Sequence, residues 1–171
     1  TNAGKSSLLN VLTGAQAFAE DKLFATLDPL TRSVELDKNL KVCFTDTVGF
    51  IKKLPHQLVE AFKSTLEEAA FADILIHVCD GSNPEVYSQI EAVNDVLQSI
   101  GATDIPTILV VNKIDAVSKD ALPNIKDAVY ISAKTGEGLE DLKAALLAEL
   151  AKAKRTSTII IPYSRGDLLA Y

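Results

Sequence analysis

The chain has 171 residues, of which 47% are hydrophobic and 23% charged. This composition is typical of one compact globular domain and excludes a disordered or fibrous protein. The net charge of −6, from 17 basic and 23 acidic residues, argues against a general nucleic-acid binder, because neutralising phosphates requires clustered Lys and Arg. The longest apolar runs, residues 74–79 and 107–111, have the length of a strand and are too short to cross a bilayer.

Two cysteines, Cys43 and Cys79, each fall in a predicted strand and lack a CxxC partner. This arrangement predicts two small buried hydrophobic side chains in a reducing compartment rather than a disulfide or a metal site. We also expect a cytoplasmic, monomeric protein without a membrane span.

The chain opens with the letters TNAGKS at residues 1–6, which match the end of the phosphate-loop pattern G-x-x-x-x-G-K-[ST]. The pattern predicts that Lys5 reaches the β- and γ-phosphates of a nucleotide and that the hydroxyl of Ser6 ligates Mg²⁺. Backbone N–H groups of the loop and of the helix over Lys5–Thr13 would surround the phosphate oxygens. G-K-S alone is a weak signal, and a plain loop before a helix is an equally good explanation of it.

The next elements are a hairpin with strands at residues 33–36 and Leu40–Asp46, joined by a turn at residues 37–39. The second strand ends in DTVG at residues 46–49. Asp46 is predicted to hold the Mg²⁺ shell through water, and Gly49 to let the backbone approach the γ-phosphate. For Asp46 alone, a helix or turn cap is the commoner role. A threonine before the hairpin should complete the Mg²⁺ shell, and we favour Thr26 over Thr31.

Three short β-branched runs follow, at residues 74–80, Thr107–Asn112 and 129–132, and helices with apolar stripes are predicted at 58–69, 86–100 and 139–150. This alternation predicts an α/β fold of the three-layer P-loop NTPase type, with a mostly parallel sheet and one antiparallel edge strand. The central first strand and the first glycine of the phosphate loop would precede Thr1, and without them we expect the 171 residues not to fold well alone. Residues 1–155 would form the nucleotide-binding domain, and 156–171 a last strand or linker to a C-terminal segment.

Two further motifs predict guanine as the base. Residues 112–115 are NKID, where a carboxylate at Asp115 can accept both N1–H and N2–H of guanine, a donor pair that adenine lacks. Ser132, Ala133 and Lys134 follow the last strand and can support guanine O6 through a backbone N–H. Five compatible motifs in one order make coincidence very improbable, whereas each alone would be weak.

The predicted nucleotide-binding residues are Thr1, Asn2, Ala3, Gly4, Lys5, Ser6, Ser7, Phe24, Ala25, Thr26, Leu27, Asp28, Asp46, Thr47, Val48, Gly49, Asn112, Lys113, Ile114, Asp115, Ser132, Ala133 and Lys134. The predicted catalytic residues among them are Asn2, Lys5, Thr26 and Gly49, and the predicted Mg²⁺ ligands are Ser6, Thr26 and, through water, Asp46.

Four stretches resemble the HflX family, in the Obg–HflX group of translation-factor-like GTPases. They are TNAGKSSLLN at 1–10, FATLDPLTR at 24–32, DTVGFI at 46–51 with the following Leu-Pro-His and helix 58–68, and PYSRGDLL at 162–169. The resemblance implies that residues 24–28 form the first switch and that 46–49 open the second. It also implies an amino-terminal domain, the large ribosomal subunit as partner, and a role in splitting or rescuing stalled ribosomes. Leu30 departs from the family, which often has a small residue such as threonine there.

Phe50 stands where many GTPases have a glutamine that orients the attacking water. Hydrolysis would then depend on positioning, Mg²⁺ and added charge. Asn2 suggests K⁺ as the added charge, since GTPases with asparagine in this slot often use K⁺ there, and a loop-stabilising hydrogen bond is the equally good alternative. His77 is predicted to be a core or half-buried histidine, and His56 a helix-start or partner contact.

Three other functions remain open from the sequence. Because Phe50 cannot orient the attacking water, one alternative is a nucleotide-gated binding module with negligible hydrolysis. An ATP-using P-loop kinase is disfavoured by Asp115 and residues 132–134. A membrane-anchored signalling GTPase is disfavoured because the chain shows neither a lipidation motif nor a polybasic end.

Overall fold

The computed structural model describes residues 2–14, 30–38, 40–47 and 69–153. The predicted helix at 58–69 falls almost entirely outside these ranges, and the predicted segment 156–171 lies wholly outside them. In chain order the elements are α1 (Lys5–Thr13), β1 (Leu30–Asp37), β2 (Leu40–Asp46), β3 (Leu75–Asp80), α2 (Val86–Ser99), β4 (Thr107–Asn112), two 3₁₀ turns (Ile114–Ala116 and Lys119–Ala121), β5 (Val129–Tyr130) and α3 (Leu139–Ala153).

Strands β1 and β2 form the predicted antiparallel hairpin, with Leu30 opposite Asp46 and Val34 opposite Val42. β1 begins at Leu30, three residues before the predicted start. Because successive side chains of a strand point to opposite faces of the sheet, Leu36 and Phe44 lie in the core, and the side chains next to Phe44 in β2 face solvent. Cys43 is one of these exposed residues, so its predicted burial was wrong. Its strand was read correctly, but position 43 belongs to the polar face.

Strands β3, β4 and β5 form a parallel sheet in that order, which confirms the predicted parallel sheet. Val78 lies opposite Val110, and Val110 opposite Val129. The sheet is covered by helices, since α2 contacts β3 and α3 contacts β4 and β5. β5 is shorter than predicted, because the chain leaves the ladder after Tyr130 to form the loop at residues 131–137.

One apolar cluster joins the hairpin, the parallel sheet and two helices. Its buried members include Leu8 and Leu9 of α1, Phe44 of β2, Val110 of β4 and Leu142 of α3. A second cluster packs Cys79 against Val86 and Val111, as predicted for that cysteine. A cavity of about 80 Å³ lies between the two sheets, lined by side chains of α1, β2 and β3.

His77 in β3 is partly buried, as predicted, and burial lowers its pKa to about 4. Its imidazole is therefore neutral at physiological pH. None of the helices in the described ranges has the length and apolar content needed to span a membrane.

Candidate nucleotide-binding site

The phosphate loop enters α1 through a backbone turn with positive φ. Asn2 has φ 61° and Gly4 has φ 87°, and the first helical hydrogen bond runs from Leu8 N to Gly4 O over 2.9 Å. A Cβ on Gly4 would collide with the side-chain nitrogen of Asn112. Glycine is therefore required here both for the left-handed backbone and for the close approach. The loop presents the N-terminus of α1, where backbone N–H groups favour an anion.

Ser6 and Asp46 meet at the start of α1 and the end of β2. Ser6 Oγ donates a hydrogen bond to Asp46 Oδ2 at 2.5 Å, and Asp46 is only 6% exposed. This geometry suits a hard cation such as Mg²⁺, because the serine oxygen can ligate the ion through a lone pair while its O–H still donates a hydrogen bond to the carboxylate. In the described part of the chain no group of three or more His, Cys, Asp and Glu side chains could hold a metal ion.

Burial lowers the pKa of Lys5, and the negative charge of Asp46 acts in the opposite direction. An ammonium group in such a partly desolvated position interacts more strongly with an incoming anion than it would in water. Lys5 thus places a partly desolvated ammonium group at the start of α1, and its contact with a phosphate stays a prediction.

Several predicted site residues lie outside the described ranges. They are Thr1, Phe24, Ala25, Thr26, Leu27, Asp28, Val48 and Gly49, together with Phe50 and His56. Thr47 is described and follows β2 directly. Thr31, the alternative Mg²⁺ ligand, lies in β1 with its hydroxyl 2.8 Å from that of Thr45. The choice of Thr26 stays a prediction.

Asn112 joins two loops of the site. Its side-chain Nδ2 donates to Ala3 O at 2.8 Å, and its Oδ1 accepts from Ala133 N at 2.9 Å. The residue is 2% exposed, and its bond with Ala133 is buried, whereas its bond with Ala3 is partly buried. The phosphate loop and the loop after β5 are therefore held together by one buried amide. Sequence reasoning named Asn112 as a motif member without foreseeing this bridge.

Asp115 is oriented by the loop after β5. Ser132 Oγ donates to Asp115 Oδ1 at 2.7 Å, and Ser132 is fully buried. Lys134 Nζ lies 4.0 Å from Asp115 Oδ2 but is 85% exposed, so that ion pair contributes little. The predicted base motifs at 112–115 and 132–134 are thus brought together. The backbone N–H of Ala133 donates to the side chain of Asn112.

Sequence reasoning missed Asp80, the last residue of β3. Its carboxylate lies 2.8 Å from Lys113 Nζ, directly beside the base motif. The sequence did contain an indication of this role. Asp80 ends a predicted strand, and the ends of neighbouring parallel strands lie at the same edge of a sheet, here beside residues 112–115.

A family model described as "50S ribosome-binding GTPase" matches residues 1–113. The GTPase HflX of Caldanaerobacter subterraneus subsp. tengcongensis is 52% identical over 96% of this chain and 38% of its own length. That of Akkermansia muciniphila is 47% identical over 99% of this chain and 41% of its own length. The chain thus spans about two fifths of these relatives.

A crystal structure of SsGBP in complex with GDP is similar in fold, with a TM-score of 0.71 and 31% identity over 90% of this chain and 48% of the other. The likeness confirms the predicted α/β P-loop GTPase fold. The family match over residues 1–113 and the two relatives that cover nearly all of this chain point to the same family. The chain belongs to the 50S ribosome-binding GTPase family and, within it, to the HflX group.

Proposed function

We propose that this chain binds GTP and GDP with Mg²⁺ and hydrolyses GTP, as the GTPase domain of a ribosome-associated protein. The observation behind this proposal is the Asn112 bridge, with bonds of 2.8 Å to Ala3 and 2.9 Å to Ala133. It holds a phosphate-binding loop and a base-binding loop in one rigid arrangement. A site with both ends fixed in this way suits a nucleoside polyphosphate.

At the phosphate end, Lys5 would neutralise charge on the β- and γ-phosphates, and Ser6 with Asp46 would hold Mg²⁺. When bound, the ion stabilises negative charge that develops on the phosphate oxygens. Thr26 and Gly49 would complete this end of the site. The GDP bound in SsGBP supports a nucleotide as the ligand.

At the base end, the carboxylate of Asp115 would accept N1–H and N2–H of guanine. The 2.7 Å bond from Ser132 fixes one oxygen and so limits the orientations that the carboxylate can take. A fixed acceptor pair rejects adenine because it would be left without donors.

In hydrolysis, water attacks the γ-phosphorus, the bond to the β–γ bridging oxygen breaks, and GDP and inorganic phosphate leave. Phe50 offers no hydrogen bond to that water, so the reaction should be slow without a partner. We propose that Asn2, in its left-handed loop conformation (φ 61°), helps to coordinate K⁺ beside the phosphates. The added positive charge would stabilise the transition state.

The names of the relatives and the family description support the large ribosomal subunit as partner. We propose that the full-length protein acts on stalled ribosomes in the cytoplasm, by splitting or rescuing them, and that it does so as a monomer. Co-sedimentation with large subunits should be stronger with a non-hydrolysable GTP analogue than with GDP. Equal recovery in both states would contradict nucleotide-gated binding.

The decisive experiment is a competition of GDP, ADP and XDP for the full-length protein. We expect a strong preference for GDP, and Asp115→Asn should shift it towards XDP because the amide offers a donor to the extra oxygen of xanthine. Asp120→Asn, an exposed aspartate in the next 3₁₀ turn, serves as the matched control. Equal binding of GDP and ADP by the unsubstituted protein would refute the proposal.

Phosphate release under multiple turnover tests the catalytic part. Turnover that is faster in KCl than in NaCl is the expected result, and equal rates would remove K⁺ from the mechanism. Tight guanine binding with no turnover, even with ribosomes, would favour the nucleotide-gated binding module instead.

A further inference from the structure

Asp80 ends β3 with both carboxylate oxygens engaged. Oδ1 accepts from Ser82 N at 2.9 Å and from Ser82 Oγ at 2.6 Å, and Oδ2 lies 2.8 Å from Lys113 Nζ. Burial alone would raise the pKa of Asp80, but the bonds from Lys113 and Ser82 outweigh it and hold the pKa below its ordinary value. The carboxylate is therefore charged and fixed in one orientation.

Lys113 has an unusual backbone. Its φ is 67°, in the left-handed region that is unfavourable for a residue with a Cβ. This residue stands between the end of β4 and the 3₁₀ turn Ile114–Ala116, for which it is the N-cap. The left-handed kink at Lys113 thus sets the direction in which the turn presents Asp115.

The backbone next to Asp80 is also fixed against the end of β4. Gly81 N donates to Asn112 O at 2.8 Å. A Cβ on Gly81 would lie 2.7 Å from Val111 Cγ1 and 3.1 Å from Asn112 O, so a larger residue would push the two segments apart. The Asp80 carboxylate is therefore held at a constant distance from the kink.

The Asp80–Lys113 pair is also partly shielded, with side chains 16% and 32% exposed, respectively. A charge-assisted hydrogen bond in such a place is stronger than a surface ion pair. It can therefore offset the backbone cost of the left-handed conformation.

We propose that Asp80 is a positioning residue for guanine recognition: it holds Lys113 in the left-handed conformation from which the following turn aims Asp115 at the base. Ser82 supports this role by orienting the carboxylate. The inference rests on the proposed function, because it requires Asp115 to bind the guanine edge.

The test compares GDP with IDP, whose base lacks the 2-amino group that Asp115 would bind. In the full-length protein, Asp80→Asn should weaken GDP binding about tenfold, as expected for the loss of a charge-assisted bond. IDP binding should weaken less, so the ratio of the two affinities falls. Asp104→Asn, which removes the same charge from an exposed loop, should leave the ratio unchanged.

A second comparison asks whether Asp80 acts through Lys113. Lys113→Met removes the ammonium group, and Asp80→Asn should then change the GDP-to-IDP ratio no further. An undiminished effect of Asp80→Asn in that background would contradict the inference. If Asp80→Asn fails to fold, Ser82→Ala replaces it, and a GDP-to-IDP ratio unchanged by Ser82→Ala would equally contradict it.

The outcomes separate the two proposals. An unsubstituted protein that shows no preference for GDP over ADP overturns the proposed function. A protein that prefers GDP but keeps its full GDP-to-IDP ratio after Asp80→Asn, with only a lower melting temperature, overturns the positioning role alone.

Discussion

Replacement of Asn112 by alanine should destabilise the protein and disconnect the phosphate loop from the loop after β5. The change removes two hydrogen bonds of 2.8 and 2.9 Å at a residue that is 2% exposed. Each of the two bonds contributes about 1 kcal/mol. The backbone groups of Ala3 and Ala133 lose their partner, and together they add a desolvation cost of about 1 kcal/mol. We expect the free energy of unfolding to fall by about 3 kcal/mol, a large share of the stability of a typical domain.

Urea unfolding of the full-length protein without nucleotide measures this loss. With a slope of about 2 kcal/mol per molar urea, the midpoint should fall by about 1.5 M. Asn94→Ala, at an exposed position of α2, is the matched control and should leave the midpoint unchanged. The affinity for a fluorescent GDP analogue should fall in parallel, because the phosphate loop and the loop after β5 are no longer joined.

Two results would refute this reasoning. If Asn112→Ala unfolds at the same urea concentration as the Asn94→Ala control, the bridge contributes nothing to stability. If the protein is destabilised as expected but binds GDP as tightly as before at a temperature where it is fully folded, the two loops do not need the bridge to form the site.

Two further predictions concern the metal and the pH dependence. Ser6→Ala should abolish the stimulation of GDP binding by Mg²⁺, because it removes the hydroxyl beside Asp46, whereas Ser99→Ala at the exposed end of α2 should not; titration of binding with Mg²⁺ checks this. The unfolded chain protonates His77 near pH 6.5, and the folded protein only near pH 4, so stability should decrease as the pH falls from about 6.5 towards 4. His77→Leu should flatten that part of the profile in urea unfolding, and an unchanged slope would show that His77 does not cause it.

The regular part of the fold could be predicted from the sequence because its signals are local. Apolar β-branched runs ended by polar residues identified β3 and β4, and the turn at residues 37–39 identified the hairpin. The boundaries were less accurate: β1 starts at Leu30 and β5 stops at Tyr130, since strand ends depend on partners elsewhere in the chain. Cys43 was misread for a related reason, because an apolar residue type is no guide to which face of the strand is buried.

The motifs predicted which loops form the site but not how they are joined. Ala3, Asn112 and Ala133 are far apart in sequence, and nothing local to any of them indicates that one amide connects all three. The contact of Ser132 with Asp115 at 2.7 Å likewise depends on the distance between two loops. Such contacts depend on how the phosphate loop and β5 are placed beside the end of β4, which no local motif encodes.

The parallel register explains why Asp80 belongs to the same site. In the β3–β4 ladder Asp80 lies opposite Asn112, so both strands end at one level of the sheet. The residue after Asn112 then turns across that edge, and its side chain reaches the carboxylate of the neighbouring strand. A motif defined along one stretch of chain, such as NKID at residues 112–115, thus omits the partner that the adjacent strand supplies. Since ligands of open α/β sheets bind at the carboxyl ends of the strands, the residues that end neighbouring parallel strands are the first place to look for such partners.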